Sequence, residues 1–421
     1  MTPEEMTPQM QELNNRRMER YERRQSYRLK KRRQKIIIAV AAAVLAAMGM
    51  IGLFFMLRAE KTVEQATPQV TSSMEETPEG ATVIQLVAAG DVNVTDAIVA
   101  SGGTEYDYTE TFIDVAHLLA AGDITVLNFE GNLCGAPYGT NSRSAPQGMA
   151  EALSRAGVDL VQLANSYSIN QGISGLQATI QSVKDAGMEA LGVYPDERAY
   201  KAGKGYIIRD VQGVKIAFVA FTKGMDGMTL PQGSEHCVNV LYSDYDSTYQ
   251  DVAYSRISEV LEAVNKEKPD LTVAMLHWGS EYNDIIRETQ KNIVSYMQEL
   301  GVDAVIGSHP HYVQQMTYDP ETGFFVAYSL GDFISDGTRA GTEYSVVLNL
   351  EITKANGNTK ITGYSYTPIF TVAERGKQVR SMRIAETMAA FDSNYIKKIK
   401  QTTYDSMVYA LTRIEARVAG E

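Results

Sequence analysis

Five short apolar segments of the chain end in side chains that bind metal ions or transfer protons. Carboxylates and imidazoles are the usual protein ligands of Zn, Mn and Fe, and a bridging carboxylate can hold two ions about 4 Å apart. The sequence therefore predicts a site for a divalent metal (Mn, Zn or Fe) formed by motifs from separate segments: GD at 90–91, NFE at 128–130, ANS at 164–166, HWGSEY at 277–282 and GSHPH at 307–311.

The histidines are concentrated in two of these motifs, because three of the five in the chain are His277, His309 and His311. In the His-Pro-His triplet the proline stiffens the loop, so both rings can face one point. Each motif alone has a simpler interpretation, since a Gly-Asp pair is often only a turn and a histidine at a strand end is often structural. His117 falls within an amphipathic stretch and is predicted to be a surface or packing residue.

The apolar segments alternate with amphipathic stretches, which is typical of strands and helices in series. Several strands are preceded by a glycine followed within two residues by Asp or Glu, as expected where a helix ends and a strand begins. The pattern predicts an α/β fold with one largely parallel sheet, whose carboxyl-end edge is the usual place for ligands. The predicted strands are 83–89, 124–129, 158–163, 188–193, 214–221, 271–276 and 302–306, and the predicted helices are 109–121, 146–156, 173–186, 250–267 and 289–300.

The pattern changes after about residue 325. Segments 324–330, 344–352 and 360–371 indicate strands joined by short turns, which favours antiparallel pairing. The segment 386–418 has apolar residues at helical spacing and predicts one or two helices.

Taken in order, the motifs resemble those of the CapA-type capsule (poly-γ-glutamate) biosynthesis proteins over residues 83–334. The specific part is the combination of HWGSEY at 277–282, GSHPHYVQ at 307–314 and AYSLGDF at 327–333. The resemblance implies a calcineurin-like metallophosphoesterase sandwich with α/β/β/α layers. It also implies a role in polymer synthesis, export or anchoring, with a capsule or wall polymer and membrane synthase subunits as partners.

The resemblance further implies roles for individual residues. Catalytic roles would fall to Asp91, Glu130, His277 and His309. The implied metal ligands are Asp91, Glu130, Asn165, His277, His309 and His311, and the implied pocket residues are Asn128, Tyr167, Trp278, Glu281 and Tyr282. For Trp278 the alternative is a packing residue beside His277.

One stretch departs from the family pattern. Where the family usually has Leu-Ala-Asn-Asn-His-x-x-Asp-x-Gly, this chain has LANSYSINQG at 163–172. Ser166 thus replaces an Asn that is a metal ligand in related phosphoesterases, and Tyr167 replaces the His that helps the leaving group. Serine is a poor neutral ligand and tyrosine has a pKa of about 10, so efficient two-metal hydrolysis is not expected. Asp332 also differs, since the family commonly has Asn there.

The N-terminal part predicts a membrane anchor. Residues 36–57 are 22 residues without a charge, long enough to cross the roughly 30 Å hydrocarbon core. Residues 1–35 contain 11 Lys and Arg against 5 Asp and Glu, so the positive-inside rule puts them in the cytoplasm. We therefore expect a single-pass protein of the cell membrane, with an extracytoplasmic linker at 58–81, a CapA-like domain at 82–375 and a helical extension at 376–421. The two cysteines, Cys134 and Cys237, are then either disulfide-bonded or two buried thiols.

Charge narrows the functional classes. The formal net charge is −12 although the N-terminal segment is basic, so the remainder is strongly acidic and nucleic acid is not expected as a partner. Three functions stay open: a capsule or polyanion assembly factor, a cell-surface metal-dependent hydrolase of a phosphoester or amide, and a pseudoenzyme that binds a wall polymer. Arg143, Lys223 and Arg339 would supply positive potential near the motifs. The alternative is that they are only solvated loop charges.

Overall fold

The computed structural model describes residues 69–72, 80–373, 378–393 and 399–421. The predicted basic segment at 1–35 and the predicted anchor at 36–57 lie outside these residues. Among the helices that are described, none is long and apolar enough to cross a bilayer.

Short strands and helices alternate through the first part of the described chain, and long strands dominate later. The strands are β1 (Gln69–Ser72), β2 (Thr82–Asn93), β3 (Ile124–Glu130), β4 (Leu160–Gln162), β5 (Glu189–Leu191), β6 (Tyr206–Val211), β7 (Val214–Thr222), β8 (Leu271–His277), β9 (Ala304–Ser308), β10 (Met316–Tyr318), β11 (Phe325–Ala327), β12 (Asp332–Ile334), β13 (Tyr344–Ala355), β14 (Asn358–Val372) and β15 (Arg380–Arg383). The helices are α1 (Asp96–Ser101), α2 (Thr109–Phe112), α3 (Ala116–Leu119), α4 (Gln147–Arg155), α5 (Gly172–Asp185), α6 (Glu197–Gly203), α7 (Tyr254–Glu267), α8 (Glu288–Glu299), α9 (Ile384–Asp392) and α10 (Gln401–Ala419).

The described strands form two mixed sheets, so the prediction of one largely parallel sheet is wrong. The first sheet has the order β1-β14-β13-β2-β3-β4-β5, with β12 also paired to β2 and β15 to β14. Its strands β2 to β5 are parallel, whereas β13 and β14 are antiparallel to their neighbours, as the sequence predicts. The second sheet has the order β10-β11-β9-β8-β7-β6, with β7, β8, β9 and β11 parallel.

The two sheets pack face to face between helical layers. One hydrophobic cluster combines Ile84 and Leu86 of β2 with Val273 and Met275 of β8, so it lies between the sheets. Two further clusters lie on the outer faces, where the first sheet meets α4 and α5 and the second meets α7 and α8. The α/β/β/α layering is therefore present. Because both faces of β8 are covered, its side chains are buried throughout, which explains the continuous apolar run.

The Gly-Asp signatures mark joints at the amino ends of parallel strands. Asp303 directly precedes β9 and lies two residues after Gly301, and its carboxylate accepts the backbone N–H of Thr272 at 2.7 Å. The Asp303 N–H in turn donates to the Thr272 carbonyl at 2.9 Å. Asp123, Asp159 and Asp270 make the same reciprocal pair with the neighbouring strand. Each joint satisfies the first backbone groups of two strands and fixes their register.

The sheet extends beyond the predicted domain limits. Strand β1 lies inside the predicted 58–81 linker and pairs with β14, and β15 lies inside the predicted 376–421 extension and pairs with the same strand. Met407 and Leu411 of α10 belong to the cluster between the sheets. The C-terminal helices therefore help to cover the main core.

Asp303 gives a prediction about stability and pH. Burial raises the pKa of Asp303 to about 6, above the usual value of about 3.9. The stability that its protonated form contributes is therefore lost as the pH rises from about 4 to 6. Asn keeps the acceptor for Thr272 but cannot ionise. The wild-type protein should lose about 3 kcal/mol of stability between pH 4 and pH 8 through this group, and Asp303→Asn should not. We therefore expect the effect of Asp303→Asn on the free energy of unfolding, measured by urea denaturation, to be more favourable at pH 8 than at pH 4 by about that amount. A difference independent of pH would contradict this account.

Candidate metal centre

The predicted ligands come together where the carboxyl ends of both sheets meet. Asp91 of β2 and Glu130 of β3 come from the first sheet, whereas His277 of β8 and the loop after β9 come from the second. All of these side chains are buried, from Asp91, Glu130 and His277 at 0% exposure to His309 at 4%. The site therefore depends on the packing of two sheets and not on one sheet edge.

Two groups of ligand atoms share Glu130. One contains Glu130, His277 and His309, and the other contains Asp91, Glu130 and His311. Within each group the potential ligand atoms lie within 4.8 Å of one another. A carboxylate common to both groups is the arrangement required for a pair of bridged ions.

The Glu130 carboxylate shows most directly that a cation fits here. It is fully buried, and neither oxygen accepts a hydrogen bond from the described residues. His277 Nε2 lies 3.4 Å from one oxygen and His311 Nε2 lies 3.7 Å from the other. Two donors that each bind one ion at about 2.1 Å are about 3.4 Å apart in a tetrahedral site. The residues present thus suit a divalent metal in both donor type and spacing.

Two histidines are oriented by hydrogen bonds on the side away from Glu130. His311 Nδ1 lies 2.7 Å from Asp332 Oδ1, and His277 Nδ1 lies 3.0 Å from Ser308 Oγ. Such partners fix the ring and direct Nε2 towards Glu130. Sequence reasoning noted Asp332 only as a departure from the family pattern and missed Ser308. Ser308 lies within the GSHPH motif and Asp332 within the SLGD motif, and this is the sequence signal that could have identified both.

The amide side chains build the scaffold beneath the ligands. Asn128 Nδ2 donates to Asp91 Oδ1 at 2.7 Å, and Asn165 Nδ2 donates to Asn128 Oδ1 at 3.2 Å and to the Phe129 carbonyl at 2.7 Å. The side-chain Oδ1 of Asn165 accepts the backbone N–H of Tyr167 at 3.0 Å. Asn165, expected as a metal ligand, therefore has both amide hydrogens and one lone pair of Oδ1 bonded within the protein. These bonds make it part of the scaffold. Asn128 reaches Asp91 directly.

The backbone at the ligand loop is held in an unusual conformation. His309 and His311 have φ values of 94° and 58°, a region that non-glycine residues rarely adopt. Gly307 lies just before them, and a Cβ there would stand 1.9 Å from the Tyr328 carbonyl oxygen. Such conformations persist when surrounding contacts determine them, and they are common at functional sites. The His309 N–H donates to Asp91 Oδ2 at 3.0 Å, which ties this loop to the first sheet.

Burial and mutual charge shift the acid–base properties of the cluster. Burial and the Glu130 carboxylate raise the pKa of Asp91 to about 7. Although burial opposes ionisation, His311 and His277 hold the pKa of Glu130 below its usual range. Burial, with His277 and Lys223 nearby, holds the pKa of His309 well below its usual value, so this ring is neutral and can offer a lone pair to an ion. Burial is outweighed at His311, where Asp332 and Glu130 raise the pKa.

Comparison with known proteins agrees with these motifs. A family model described as "Bacterial capsule synthesis protein PGA_cap" matches residues 85–337, more than half of the chain. The chain belongs to the PGA_cap family. The capsule biosynthesis protein CapA of Bacillus anthracis is 27% identical over 212 residues, which cover 50% of this chain and 48% of that protein. The PGA biosynthesis protein CapA of Bacillus subtilis (strain 168) is 26% identical over 215 residues, 49% of each chain.

This PGA_cap chain thus spans about half the length of the curated relatives that it matches. Among solved structures, the calcineurin-like phosphoesterase YfkN from Bacillus subtilis has 16% identity and a TM-score of 0.40, covering 79% of this chain and 99% of that chain. A phosphatase from Mycoplasma pneumoniae has 14% identity and a TM-score of 0.41, covering 74% and 99%. Similarities of this size carry no conclusion about activity.

Ser166, the residue that departs from the PGA_cap pattern, faces one ligand group directly. Its hydroxyl lies 3.0 Å from His277 Nε2 and 3.4 Å from His309 Nδ1. It therefore occupies the place where the family resemblance implies an Asn ligand. A serine hydroxyl is a weaker neutral ligand than an amide oxygen. The group that Ser166 faces therefore has only three strong ligands, Glu130, His277 and His309, whereas the other group has two carboxylates and a histidine.

Aromatic side chains with cations above them form the rim of the site. The Arg143 guanidinium lies 4.2 Å from the centre of the Tyr167 ring, and the Arg339 guanidinium lies 3.6 Å from that of Tyr282. Tyr282 also stacks on His311, with ring centres 5.1 Å apart. The predicted pocket residues Tyr167 and Tyr282 thus connect the buried ligands to surface charge.

Two other predicted pocket residues have different surroundings. Trp278 is fully buried, donates its indole N–H to the Tyr328 carbonyl at 3.0 Å and packs in the cluster under α7 and α8. It is a core residue, because the period-two alternation turns it away from its neighbour His277. Glu281 is exposed.

Cys134 and Cys237 are both free, so the disulfide is not formed and only Cys237 is buried.

Replacing Ser166 tests the weak position in this site. We expect Ser166→Asn to strengthen binding of Mn²⁺ to the Glu130–His277–His309 group by about tenfold, because an amide oxygen replaces a hydroxyl. Calorimetric titration of the full-length protein measures the affinity and the number of ions bound. Ser166→Ala is the matched control and should show no gain. Equal affinity in the Asn and wild-type proteins would contradict the assigned place of Ser166.

Proposed function

We propose that the chain is a membrane-anchored capsule assembly protein whose extracytoplasmic domain holds an anionic polymer at a divalent-metal centre. The observation that carries this proposal is the Glu130 carboxylate, which is buried between two histidines and accepts no hydrogen bond from any residue that the structure describes. A buried unpaired carboxylate costs several kcal/mol unless a cation or hydrogen bonds compensate it. Mn, Zn or Fe suits the mixed carboxylate and imidazole donors.

The proposed ligand is anionic because of the charges around the opening. Arg143 and Arg339 lie over the two rim tyrosines. Lys223 donates to the Gly279 carbonyl at 2.9 Å and is close enough to lower the pKa of His309. Glu281 and Asp226 lie near Lys223 and offset part of this charge. The cations nearest the ligand groups would still supply, together with a bound metal, a local positive potential that attracts carboxylate or phosphate groups. A capsule or wall polymer bearing such groups fits this opening.

The residues favour holding the polymer over cleaving it. A bound metal would supply Lewis-acid polarisation of an oxygen on the ligand. Burial and the Glu130 carboxylate raise the pKa of Tyr167, so its phenol is a weak proton donor for a leaving group at neutral pH. Ser166 adds only a hydroxyl to its ligand group. Arg143 and Arg339 remain able to bind and orient anionic groups.

Membership of the PGA_cap family supports the choice of polymer and the cellular setting. The two relatives are named as capsule and PGA biosynthesis proteins, and poly-γ-glutamate is therefore the polymer we propose. The proposed anchor is the apolar segment at 36–57, which would put the domain outside the membrane. Membrane synthase subunits are the proposed protein partners.

Polymer binding by the full-length protein tests the proposal. We expect Mn²⁺-loaded protein in detergent to bind poly-γ-glutamate, with an affinity that falls as salt is raised. Changing both His309 and His311 to Ala should weaken binding at least tenfold, because the metal is lost. His117→Ala alters an exposed histidine outside the site and serves as control. Undiminished binding by the double variant contradicts the proposal. Rapid metal-dependent hydrolysis of p-nitrophenyl phosphate would favour a phosphoesterase instead.

A further inference from the structure

The two ligand groups differ in the side chains that stand behind their histidines. One is an acidic group, with two carboxylates and one imidazole, and the other is an imidazole group, with one carboxylate and two imidazoles: Asp91, Glu130 and His311 against Glu130, His277 and His309. In the acidic group, Nδ1 of His311 lies 2.7 Å from the Asp332 carboxylate. In the imidazole group, Nδ1 of His277 lies 3.0 Å from the hydroxyl of Ser308, which is a neutral partner. Among the residues that the structure describes, His311 is thus the one imidazole of the centre that bonds to a carboxylate outside the two groups.

Asp332 is held where its carboxylate has a single protein partner. It lies on β12 directly beside Asp91 of β2 in the strand register, and it is 1% exposed. Within the described chain His311 is the one hydrogen-bond partner of its carboxylate, and Oδ2 accepts no hydrogen bond. The next residue, Phe333, stacks on Phe112 with ring centres 5.6 Å apart, which fixes this short strand against α2. A buried carboxylate with one imidazole as partner is costly unless positive charge is held at that imidazole. A divalent ion bound through His311 would supply such charge.

Charge and ligand strength both favour the acidic group for the first ion. A carboxylate that accepts the Nδ1–H of a histidine makes Nε2 a stronger ligand, and loss of such a partner typically lowers metal affinity about 10–100-fold. The imidazole group has only the shared Glu130 as a charged ligand, together with two rings and the weak hydroxyl of Ser166. Once Glu130 has bound one ion, a second ion about 4 Å away is repelled by the first and meets a carboxylate whose charge is already shared. The second ion therefore binds less tightly.

We propose that Asp332 fixes the order of metal loading. The acidic group binds the first divalent ion tightly, and the imidazole group binds a second ion that exchanges more readily. Asp332 is then a positioning residue, because it acts on the ion through His311. It stands where the family commonly has Asn, so the charge behind His311 departs from the usual family pattern. The inference rests on the metal centre of the proposed function and is independent of the polymer.

Calorimetric titration of the metal-free, full-length protein with Mn²⁺ tests the order of loading. The wild type should show two binding events whose affinities differ by about tenfold or more. Asp332→Asn keeps an acceptor for His311 and removes the charge. It should therefore weaken the tighter event by about tenfold and leave the weaker event within about twofold of the wild type. Asp336→Asn is the matched control, because the Asp336 carboxylate bonds to Thr338 and not to a histidine, and both events should be unchanged.

Ser308→Ala assigns the two events to the two groups without a change at Asp332. It removes the partner of His277, so only the weaker event should weaken. A merely structural role of Asp332 would disturb both groups, because they share Glu130. The electron paramagnetic resonance spectrum of Mn²⁺ gives a second readout. With one equivalent of Mn²⁺, the wild type should show isolated ions, and Asp332→Asn should also show spin-coupled pairs.

Three results would overturn the inference and leave the metal centre in place. These are two ions bound with equal affinity in the wild type, an equal effect of Asp332→Asn on both events, and a tighter event that responds to Ser308→Ala. A wild type that binds no Mn²⁺ would overturn the inference and the proposed function together. Thermal unfolding verifies that each variant is folded, and if Asp332→Asn is not folded, the response to Ser308→Ala decides.

Discussion

The structure depends on the burial of one carboxylate, that of Glu130, between histidines that belong to a different sheet. No described residue donates a hydrogen bond to it, although Asp91 is a second acid in the same pocket. Burying acids together is unfavourable because each loses hydration and repels the other. A divalent ion bound here would offset both costs, and the neighbouring rings present their Nε2 atoms to Glu130 and find partners for Nδ1 elsewhere, as such an ion requires.

The fold supplies this arrangement by bringing two sheet edges together. The first sheet holds the acids and the amide scaffold, and the second holds the imidazoles. The connection is direct, because the backbone of His309 donates to Asp91 and the Asp91 N–H donates to the Gly331 carbonyl. A Cβ on Gly90 would meet that carbonyl oxygen at 1.8 Å, so glycine is required at this crossing. Displacement of either sheet would separate acids from histidines.

Sequence reasoning finds the strands that are buried on both faces, because continuous apolar runs such as that of β8 are distinctive. It misses β6, a half-buried strand that forms a hairpin with β7, and β1, whose polar sequence is typical of a linker. It expects the candidate ligands at strand ends, where the structure has them, but assigns them to one sheet, since strand order is not encoded in local pattern. The scaffold role of Asn165 needs three-dimensional contacts to recognise.

The metal content of the full-length protein tests the central claim most directly. Elemental analysis after growth with Mn, Zn and Fe would compare wild type with Glu130→Gln, which keeps the shape of the side chain and removes its charge. The account predicts one or two ions per chain in the wild type and a marked loss in the variant, because both ligand groups share Glu130. A wild-type protein without metal, or equal metal content in a folded variant, would contradict it.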